Sequence, residues 1–207
     1  VTPGPAPVLG ATRQGEGTFY VEATGDGSCM FGASPNDMLI AAMNAPDYAG
    51  ANVCGEFAEV TGPKGTVTVR IVDRCPECKS GDLDFSPQAF DRIADRSAGR
   101  VPITWKVVAG EVQGPVSYRY KEGTSQFWVA IQVRNHRVPV TKLEILPSGA
   151  ANWFELARAD YNYFIHPTPI ANAPLQVRVT GLTGATVQNI LPAPQAGLEI
   201  AGSAQFP

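Results

Sequence analysis

The sequence has 207 residues and a formal net charge of −3, and charged residues make up only 17% of it. This acidic balance, with a pI of about 5.4, argues against binding to nucleic acid, which needs a positive face. Glycine (21) and proline (18) are abundant, which indicates short strands joined by turns, and no apolar run reaches the ~18 residues of a membrane-spanning helix.

The start of the chain is rich in proline, glycine and alanine. We expect residues 1–15 to be loosely held and to follow a removed signal peptide, so that the protein is secreted. Four cysteines are an even count, which suits disulfides in an oxidising compartment. The expected pairs are Cys29–Cys54 and Cys75–Cys78, although spacing alone does not fix the connectivity. A redox or zinc site at 75–78 is the alternative, but no histidine lies in the first half of the chain.

The sequence pattern of the first half predicts several strands and one helix. Val67, Val69 and Ile71 alternate, so they share a face that is predicted to be core. Ser86 followed by Pro87 is a helix start, and we expect that helix to end near 97–99. The predicted strands are 17–21, 38–43, 56–60, 66–72 and 102–108. One helix among several strands indicates a compact barrel with a helix on its rim.

The pattern changes after a joint punctuated by glycine and proline near 109–112. Strands separated by turn residues recur there without a helical pattern, which favours a β-sandwich. The predicted strands are 116–120, 128–134, 140–146, 153–156, 175–180 and 186–191. We therefore expect two domains, 1–109 and 110–207, joined by a short linker.

The most informative stretch runs from residue 73 to residue 87. Asp73 ends a buried strand and Asp84 lies just before a helix, which are both places from which a chain delivers side chains to a cleft. The structural alternatives are that Asp84 only favours the helix start by its charge, and that Asp73 pairs with Arg74 or caps a turn.

Two motifs in this order resemble the expansins. The segment 72–76 (VDRCP) with 81–90 (GDLDFSPQAF) is similar to the barrel motif of that family, whose first domain resembles inverting cellulases. The segments 118–125 (YRYKEGTS) and 128–136 (WVAIQVRNH) are similar to bacterial expansins. The resemblance implies a mostly-β fold: a six-stranded double-psi β-barrel followed by an immunoglobulin-like β-sandwich that binds carbohydrate.

The resemblance also implies a polysaccharide groove in the barrel. Asp84 matches the general acid of the cellulases, whereas the base carboxylate is missing, and inverting hydrolysis needs both. Cys75 stands where bacterial relatives often have an aromatic residue, and Tyr20 is the alternative groove aromatic. The groove residues implied are Thr18, Tyr20, Asp73, Glu77 and Asp84.

In the second half the resemblance implies a cellulose-binding row of Phe127, Trp128 and Tyr161, with Lys121 as the polar neighbour. Relatives commonly carry tryptophan where this chain has Phe127. Strand alternation puts Trp128 on the polar face but Phe127 on the core face, so we expect a bulge after 123–126. Flat amphipathic rings suit the C–H faces of sugars.

Four aromatic and histidine residues outside this row are expected to be structural or incidental. Trp105 and Trp153 are assigned to core or to the interdomain seam. His136 belongs to a hydrogen-bonded trio at a strand end, and His166 is expected in an exposed loop.

The function implied is non-hydrolytic loosening of plant cell walls. The expected partners are cellulose and matrix polysaccharides, and we expect a monomer without cofactor, metal, nucleic acid or membrane. One alternative is an enzyme, an endoglucanase or a lytic transglycosylase-like protein, with Asp84 as general acid. The other is a pure carbohydrate-binding module. The shared barrel does not decide between them.

Overall fold

The computed structural model describes residues 8–207, in which one compact unit ends at Gly110 and a second runs from Glu111 to Pro207. The expected start of a mature chain at residues 1–7 lies outside the described residues. No helix in the described part of the chain is long and apolar enough to cross a membrane.

The first unit is a closed six-stranded barrel. Its strands are Arg13–Phe19 (β1), Ile40–Asn44 (β2), Phe57–Gly62 (β3), Gly65–Cys75 (β4), Leu83–Phe85 (β5) and Val101–Val108 (β6). The order around the barrel is β1-β5-β2-β4-β3-β6, in which β1 and β5 are parallel, β2 and β4 are parallel, and the other neighbours are antiparallel. This closure confirms the predicted double-psi β-barrel.

Burial along the strands follows from their place in the barrel. In β4, Val67, Val69 and Ile71 point into the core as the alternation predicts. All five residues of β2 are buried, because this strand is paired on both sides and covered on both faces.

The expectation that the chain is loose up to residue 15 is wrong for the described part. Strand β1 begins at Arg13, and Gly10 donates its N–H to the carbonyl of Val107 at 2.9 Å. The sequence pattern did not predict the start of this strand because Gly15 and Gly17 have a low propensity for strands. At Gly15 a β-carbon would lie 2.2 Å from the carbonyl oxygen of Gly81, so the close approach of the two backbones requires glycine.

Two helices accompany the barrel, Ala45–Tyr48 (α1), which the sequence pattern did not predict, and Pro87–Ile93 (α2). Ser86 caps α2 as predicted: its Oγ accepts the N–H of Ala89 at 3.2 Å. The helix ends earlier than expected because Ala94 is extended, and a separate 3-10 turn follows at Arg96–Ala98.

The second unit is a sandwich of two sheets. Its strands are Ser117–Tyr120 (β7), Val129–Arg134 (β8), Val140–Leu146 (β9), Phe154–Glu155 (β10), Ala157–Arg158 (β11), Phe164–His166 (β12), Leu175–Gly181 (β13), Thr186–Leu191 (β14) and Glu199–Ala201 (β15). One sheet has the order β10-β9-β13-β14 and the other β11-β12-β8-β7-β15. Side chains of both sheets share one core. The short strands β11, β12 and β15 escaped prediction because two or three residues give no periodicity.

Two disulfides close loops in the first unit. Cys29 and Cys54, separated by 25 residues, are both fully buried in the barrel core. Cys75 and Cys78, separated by 3 residues, lie at the end of β4. In the loop-entropy model the longer bridge contributes about 3–4 kcal/mol and the shorter about 2 kcal/mol.

Asp47 in α1 is the buried polar hub of the barrel. Its carboxylate accepts hydrogen bonds from Arg13 Nη1 at 2.7 Å, Asn44 Nδ2 at 2.8 Å, the Gly81 N–H at 2.9 Å and the Ser80 hydroxyl at 3.2 Å. Three of these four donors, Arg13, Ser80 and Gly81, are 33 or 34 residues away from Asp47 in the sequence. Burial alone would raise the pKa of Asp47, but these donors outweigh it and lower the pKa.

Replacing Asp47 with alanine is expected to lower the free energy of unfolding by about 3 kcal/mol, because it leaves buried donors without an acceptor. Urea unfolding of the full chain measures this. The matched control is Asp95→Ala, which removes an exposed pair with Lys64 and should cost less than about 1 kcal/mol. Equal losses in both variants would contradict the role assigned to Asp47.

Candidate functional site

Asp84 is the centre of the first candidate site. It is the middle residue of β5, whose outer residues Leu83 and Phe85 fill the barrel core, so its side chain points to the opposite face. Parallel pairing puts Thr18 of β1 directly beside it, and the Thr18 hydroxyl donates to Asp84 Oδ1 at 2.5 Å. The sequence did not predict a strand at this position.

The surroundings of Asp84 favour its protonated form. Burial is the largest cause of its raised pKa, and the charges of Glu77 and Asp73 add to it. The hydrogen bond from Thr18 and the charge of Arg100 act in the opposite direction. A carboxyl group in this setting is suited to donate a proton.

Asp73 is fixed at the end of β4 by backbone donors. Its Oδ1 accepts the N–H groups of Ser28 and Arg74, each at 2.7 Å. The loop can approach this closely because residue 27 is glycine: a β-carbon on Gly27 would lie 2.5 Å from the Asp73 carboxyl carbon. The alternative prediction, that Asp73 caps a turn, is therefore correct in part, because backbone N–H groups do bind its carboxylate. Its charge nevertheless also acts on Asp84.

Tyr20 directly follows β1, where its N–H donates to the carbonyl of Phe85 at 3.0 Å. Its hydroxyl oxygen is buried and has no hydrogen-bond partner within the described residues. Burial raises the pKa of Tyr20 most, followed by the charges of Asp73 and Asp84. A buried donor without a partner is costly in the free protein.

Glu77 lies within the short disulfide loop, where its Oε2 is 3.9 Å from Cys75 Sγ. Its charge is the larger of the two carboxylate influences on Asp84. Of the five residues predicted for the groove, Thr18 contacts Asp84 directly, and Tyr20, Asp73 and Glu77 are linked to it by electrostatic influence. We call Thr18, Tyr20, Asp73, Glu77 and Asp84 the acid cluster.

The raised pKa of Asp84 has a consequence for stability. A carboxyl whose pKa is higher in the folded state than in the unfolded state loses stabilising power as the pH rises through that range. Asp84→Asn is therefore expected to unfold at a higher urea concentration than the wild type at pH 7, with the difference disappearing near pH 3. A variant that is less stable at both pH values would contradict the electrostatic account.

The second candidate site lies in the sandwich. Phe127 is 64% exposed at the tip of a tight turn, in which Ser125 and Trp128 exchange backbone hydrogen bonds of 3.0 and 3.2 Å. The bulge expected from strand alternation is wrong, because β8 begins only at Val129 and Phe127 belongs to the turn. Trp128 is partly exposed.

Tyr161, also partly exposed, lies near Lys121. The Lys121 ammonium is 6.0 Å from the centroid of the Tyr161 ring, within cation–π range, and 5.7 Å from that of Tyr163. Lys121 is hydrogen-bonded through its N–H to Ala130, two residues from Trp128, so it connects the two parts of the site. We call Phe127, Trp128 and Tyr161 the aromatic platform.

Sequence reasoning missed what supports this platform. The alternation in β8 predicts an exposed polar face, yet Ala130 and Gln132 are fully buried. Tyr163, itself 1% exposed and 6.2 Å from the Tyr161 ring, comes from the neighbouring β12 side of the same sheet. A single strand carries no signal for a side chain that another strand supplies.

The remaining predictions concern residues outside the two sites. Trp105 is core and donates its Nε1–H to the Gly81 carbonyl. Trp153 is not in the core of its unit: it is half-buried under the Arg178 guanidinium, 4.5 Å from the ring centroid. His136 is buried and structural. The prediction of an exposed His166 is wrong, because this residue lies in β12 with 9% exposure.

Comparison with known proteins finds similar sequences and similar solved structures. Residues 12–105 match a family model described as lytic transglycolase. Expansin-YoaJ of Bacillus subtilis (strain 168) is 38% identical over 94% of this chain and 87% of its own length. The crystal structure of an expansin from Clavibacter michiganensis superposes with a TM-score of 0.86 at 36% identity, covering 95% of this chain and 98% of the other. A mutant of that protein in complex with cellohexaose gives the same values.

Proposed function

This chain belongs to the bacterial expansins, and on that basis we propose that it binds cellulose and related wall glucans and loosens plant cell walls without hydrolysing them. Its sandwich, 110–207, is the cellulose-binding domain in this proposal, and its barrel, 1–109, acts on the bound glucan. The structure of a relative in complex with cellohexaose supports a cellulose-like ligand.

The observation that carries the proposal is the exposure of the Phe127 ring, beside which Trp128 is partly exposed. Phe127 leaves 64% of its surface in water, so its ring is accessible to a ligand. The Tyr161 ring lies 6.2 Å from the buried Tyr163 ring, and Lys121 lies beside both rings. In this proposal the Tyr161 ring stacks on the apolar face of a pyranose unit, and Lys121 supplies a polar contact next to it.

The acid cluster is proposed to engage a glucan chain in the barrel. The Asp84 carboxyl, whose pKa is raised by burial, and the Asp73 carboxylate supply hydrogen-bonding groups for the hydroxyls of the glucan. Binding at two places on one polymer allows the barrel to distort or displace a strand while the platform remains attached. No covalent bond changes in this scheme.

Expansins are as a family non-enzymatic wall-loosening proteins, and we extend this to the present chain. The second candidate is a lytic transglycosylase-like reaction, in which one carboxyl group acts first as acid and then as base. The raised pKa of Asp84 suits the general-acid role, which this candidate shares with a two-carboxylate inverting hydrolase.

The binding half of the proposal is tested by incubating the full chain with crystalline cellulose and measuring the protein left in solution. We expect saturable loss of protein to cellulose and displacement by soluble cellohexaose at high concentration. An insoluble polymer without β-linked glucose faces, such as cross-linked dextran, is the control. Equal retention on both polymers, or none on cellulose, would refute the proposal.

Binding to whole walls is expected to depend weakly on salt. The protein carries a net charge of −3, so it gains little from attraction to anionic pectin, and ring stacking is not screened. Retention should change by less than about twofold between about 0.05 and 0.5 M salt. A steep fall with added salt would point to charge attraction as the main contribution.

The proposed location is extracellular. Two disulfides fit an oxidising environment, and the relatives are expansins, which act on walls outside the cell. We further propose that the protein acts as a monomer, because each unit encloses its own core.

A further inference from the structure

The turn that presents Phe127 extends beyond the regular pairing of its sheet. In the ladder between β12 and β8, the last partners are His166 and Val129. Pro167 follows in the chain and has no N–H, so it cannot donate the next hydrogen bond of this ladder. Residues 125–128 therefore lie past the end of the pairing with β12, and their position depends on other contacts.

Contacts within the hairpin hold the base of this turn. Ser125 and Trp128 exchange two backbone hydrogen bonds, which leaves Gln126 and Phe127 at the tip. Both bonds join residues of the same hairpin. They set the shape of the turn but not its direction relative to the neighbouring loop.

One hydrogen bond from outside the hairpin reaches the tip. The N–H of Ile170 donates to the carbonyl of Gln126 at 2.8 Å. The Ile170 side chain is partly buried and packs against the core of the sandwich. Ile170 therefore connects the tip of the turn to the packed interior of the unit, shortly after the end of β12.

The chain between β12 and this residue is itself restrained. Nε2 of His166 and the hydroxyl oxygen of Thr168 are 2.9 Å apart, which is a hydrogen-bond distance. His166 is buried, so this bond ties the exposed Thr168 to the end of the strand. Pro167 and Pro169 each have a fixed φ, which reduces the freedom of the backbone between them. We call residues 166–170 the anchoring loop.

We propose that the anchoring loop positions the turn 125–128, and with it Phe127 and Trp128, relative to Tyr161, so that the three rings meet one cellulose surface together. This deepens the proposed function and rests on it. Tyr161 lies on the other side of β12 in the chain, in the connection from β11. Strand β12 and its two flanks thus link all parts of the aromatic platform. Holding the rings in advance strengthens binding, because side chains that are ordered only on binding cost free energy.

The first test removes a single hydrogen bond. The full chain is made with a backbone ester at residue 170, in which oxygen replaces the Ile170 N–H and the side chain is unchanged. The matched control is an ester at Ala173, whose N–H donates to the carbonyl of Ala171 in the same connection at 2.9 Å. We expect the ester at residue 170 to weaken retention on crystalline cellulose about fivefold, and the ester at residue 173 to change it by less than about twofold.

Hydrogen exchange gives a second readout that needs no cellulose. The Trp128 N–H donates to the carbonyl of Ser125 at 3.2 Å across the base of the turn. Its exchange, followed by NMR, should become about fivefold faster in the ester at residue 170 and stay the same in the ester at residue 173. Both esters should have similar midpoints of urea unfolding. Thr168→Val should act in the same direction as the ester at residue 170, and Thr168→Ser should behave like the wild type.

The proposal is overturned if the ester at residue 170 or Thr168→Val leaves both cellulose retention and exchange of the Trp128 amide unchanged, or if the two esters act alike. Retention of the unmodified protein is measured in the same series. Its absence would refute the proposed function, whereas faster exchange in the ester at residue 170 would still establish that the anchoring loop holds the turn.

Discussion

Replacing Trp128 with alanine is expected to weaken binding to crystalline cellulose about thirtyfold, the equivalent of ~2 kcal/mol. Trp128 closes the turn that presents Phe127 and is partly exposed, so its removal takes away a large ring next to Phe127 in the chain. Depletion isotherms on microcrystalline cellulose measure the change. Replacing all three platform residues should abolish measurable retention.

The matched control for this experiment is Phe154→Ala. Phe154 is also an exposed ring of the sandwich, at 44%, but it contacts His166 and lies in the other sheet. Its removal should leave cellulose retention unchanged within about twofold. If Phe154→Ala lost as much affinity as Trp128→Ala, binding would be a general property of exposed apolar surface and not of the platform.

Replacing Asp84 with asparagine is expected to reduce wall extension to less than about a tenth of the wild-type value while leaving cellulose retention intact. Asparagine keeps an oxygen for the Thr18 hydroxyl, so the site should retain its shape. Extension should fall because an asparagine side chain cannot release or take up a proton. Cellulose retention should stay intact because the aromatic platform lies in a separate unit. Extension of heat-inactivated walls under constant load measures the effect.

Asp91→Asn is the control for this change, because Asp91 is an exposed residue of α2 paired with Arg96. It should extend walls like the wild type. Full activity in Asp84→Asn, together with loss of extension in Trp128→Ala, would favour the pure carbohydrate-binding module. In that case the acid cluster would have no part in wall loosening.

The sequence predicted the long elements better than the short ones. The hairpin of β3 and β4 and the helix after Ser86 carry strong local signals, namely alternating valines and a cap followed by proline. Strand β5 has only three residues, and β1 contains Gly15 and Gly17. These strands form because barrel closure supplies partners on both sides, which a local pattern does not report.

The residues of the acid cluster and of the aromatic platform could be predicted from the sequence, but their hydrogen bonds and their positions in strands or turns could not. Matching motifs identified Asp84 and Trp128, whereas only the structure gives the free hydroxyl of Tyr20. Regular alternation assigned Phe127 to the core, since it cannot anticipate that a turn and not a strand contains this residue. The burial of His166 likewise depends on a strand too short to leave a periodic signal.

The acid cluster holds three carboxyl groups, those of Asp73, Glu77 and Asp84, of which only Asp84 matches the general acid of the cellulases. The negative charges of Asp73 and Glu77 both raise the pKa of Asp84. One carboxylate oxygen of Asp73 also accepts hydrogen bonds from two backbone N–H groups. Inverting hydrolysis would require one of them to activate water across the glycosidic bond. We assign them instead to raising the pKa of Asp84 through their negative charges, a role that needs no attacking water.

The central claim is that this protein loosens cellulose-containing walls without cutting their polymers. The most direct measurement is the chain-length distribution of cellulose and matrix glucan in the same wall strips whose extension has been recorded, together with any soluble reducing or anhydro sugars. We predict extension with unchanged chain lengths and no soluble products. Shortening of chains in proportion to extension, abolished by Asp84→Asn, would contradict the claim and identify the protein as a lytic enzyme.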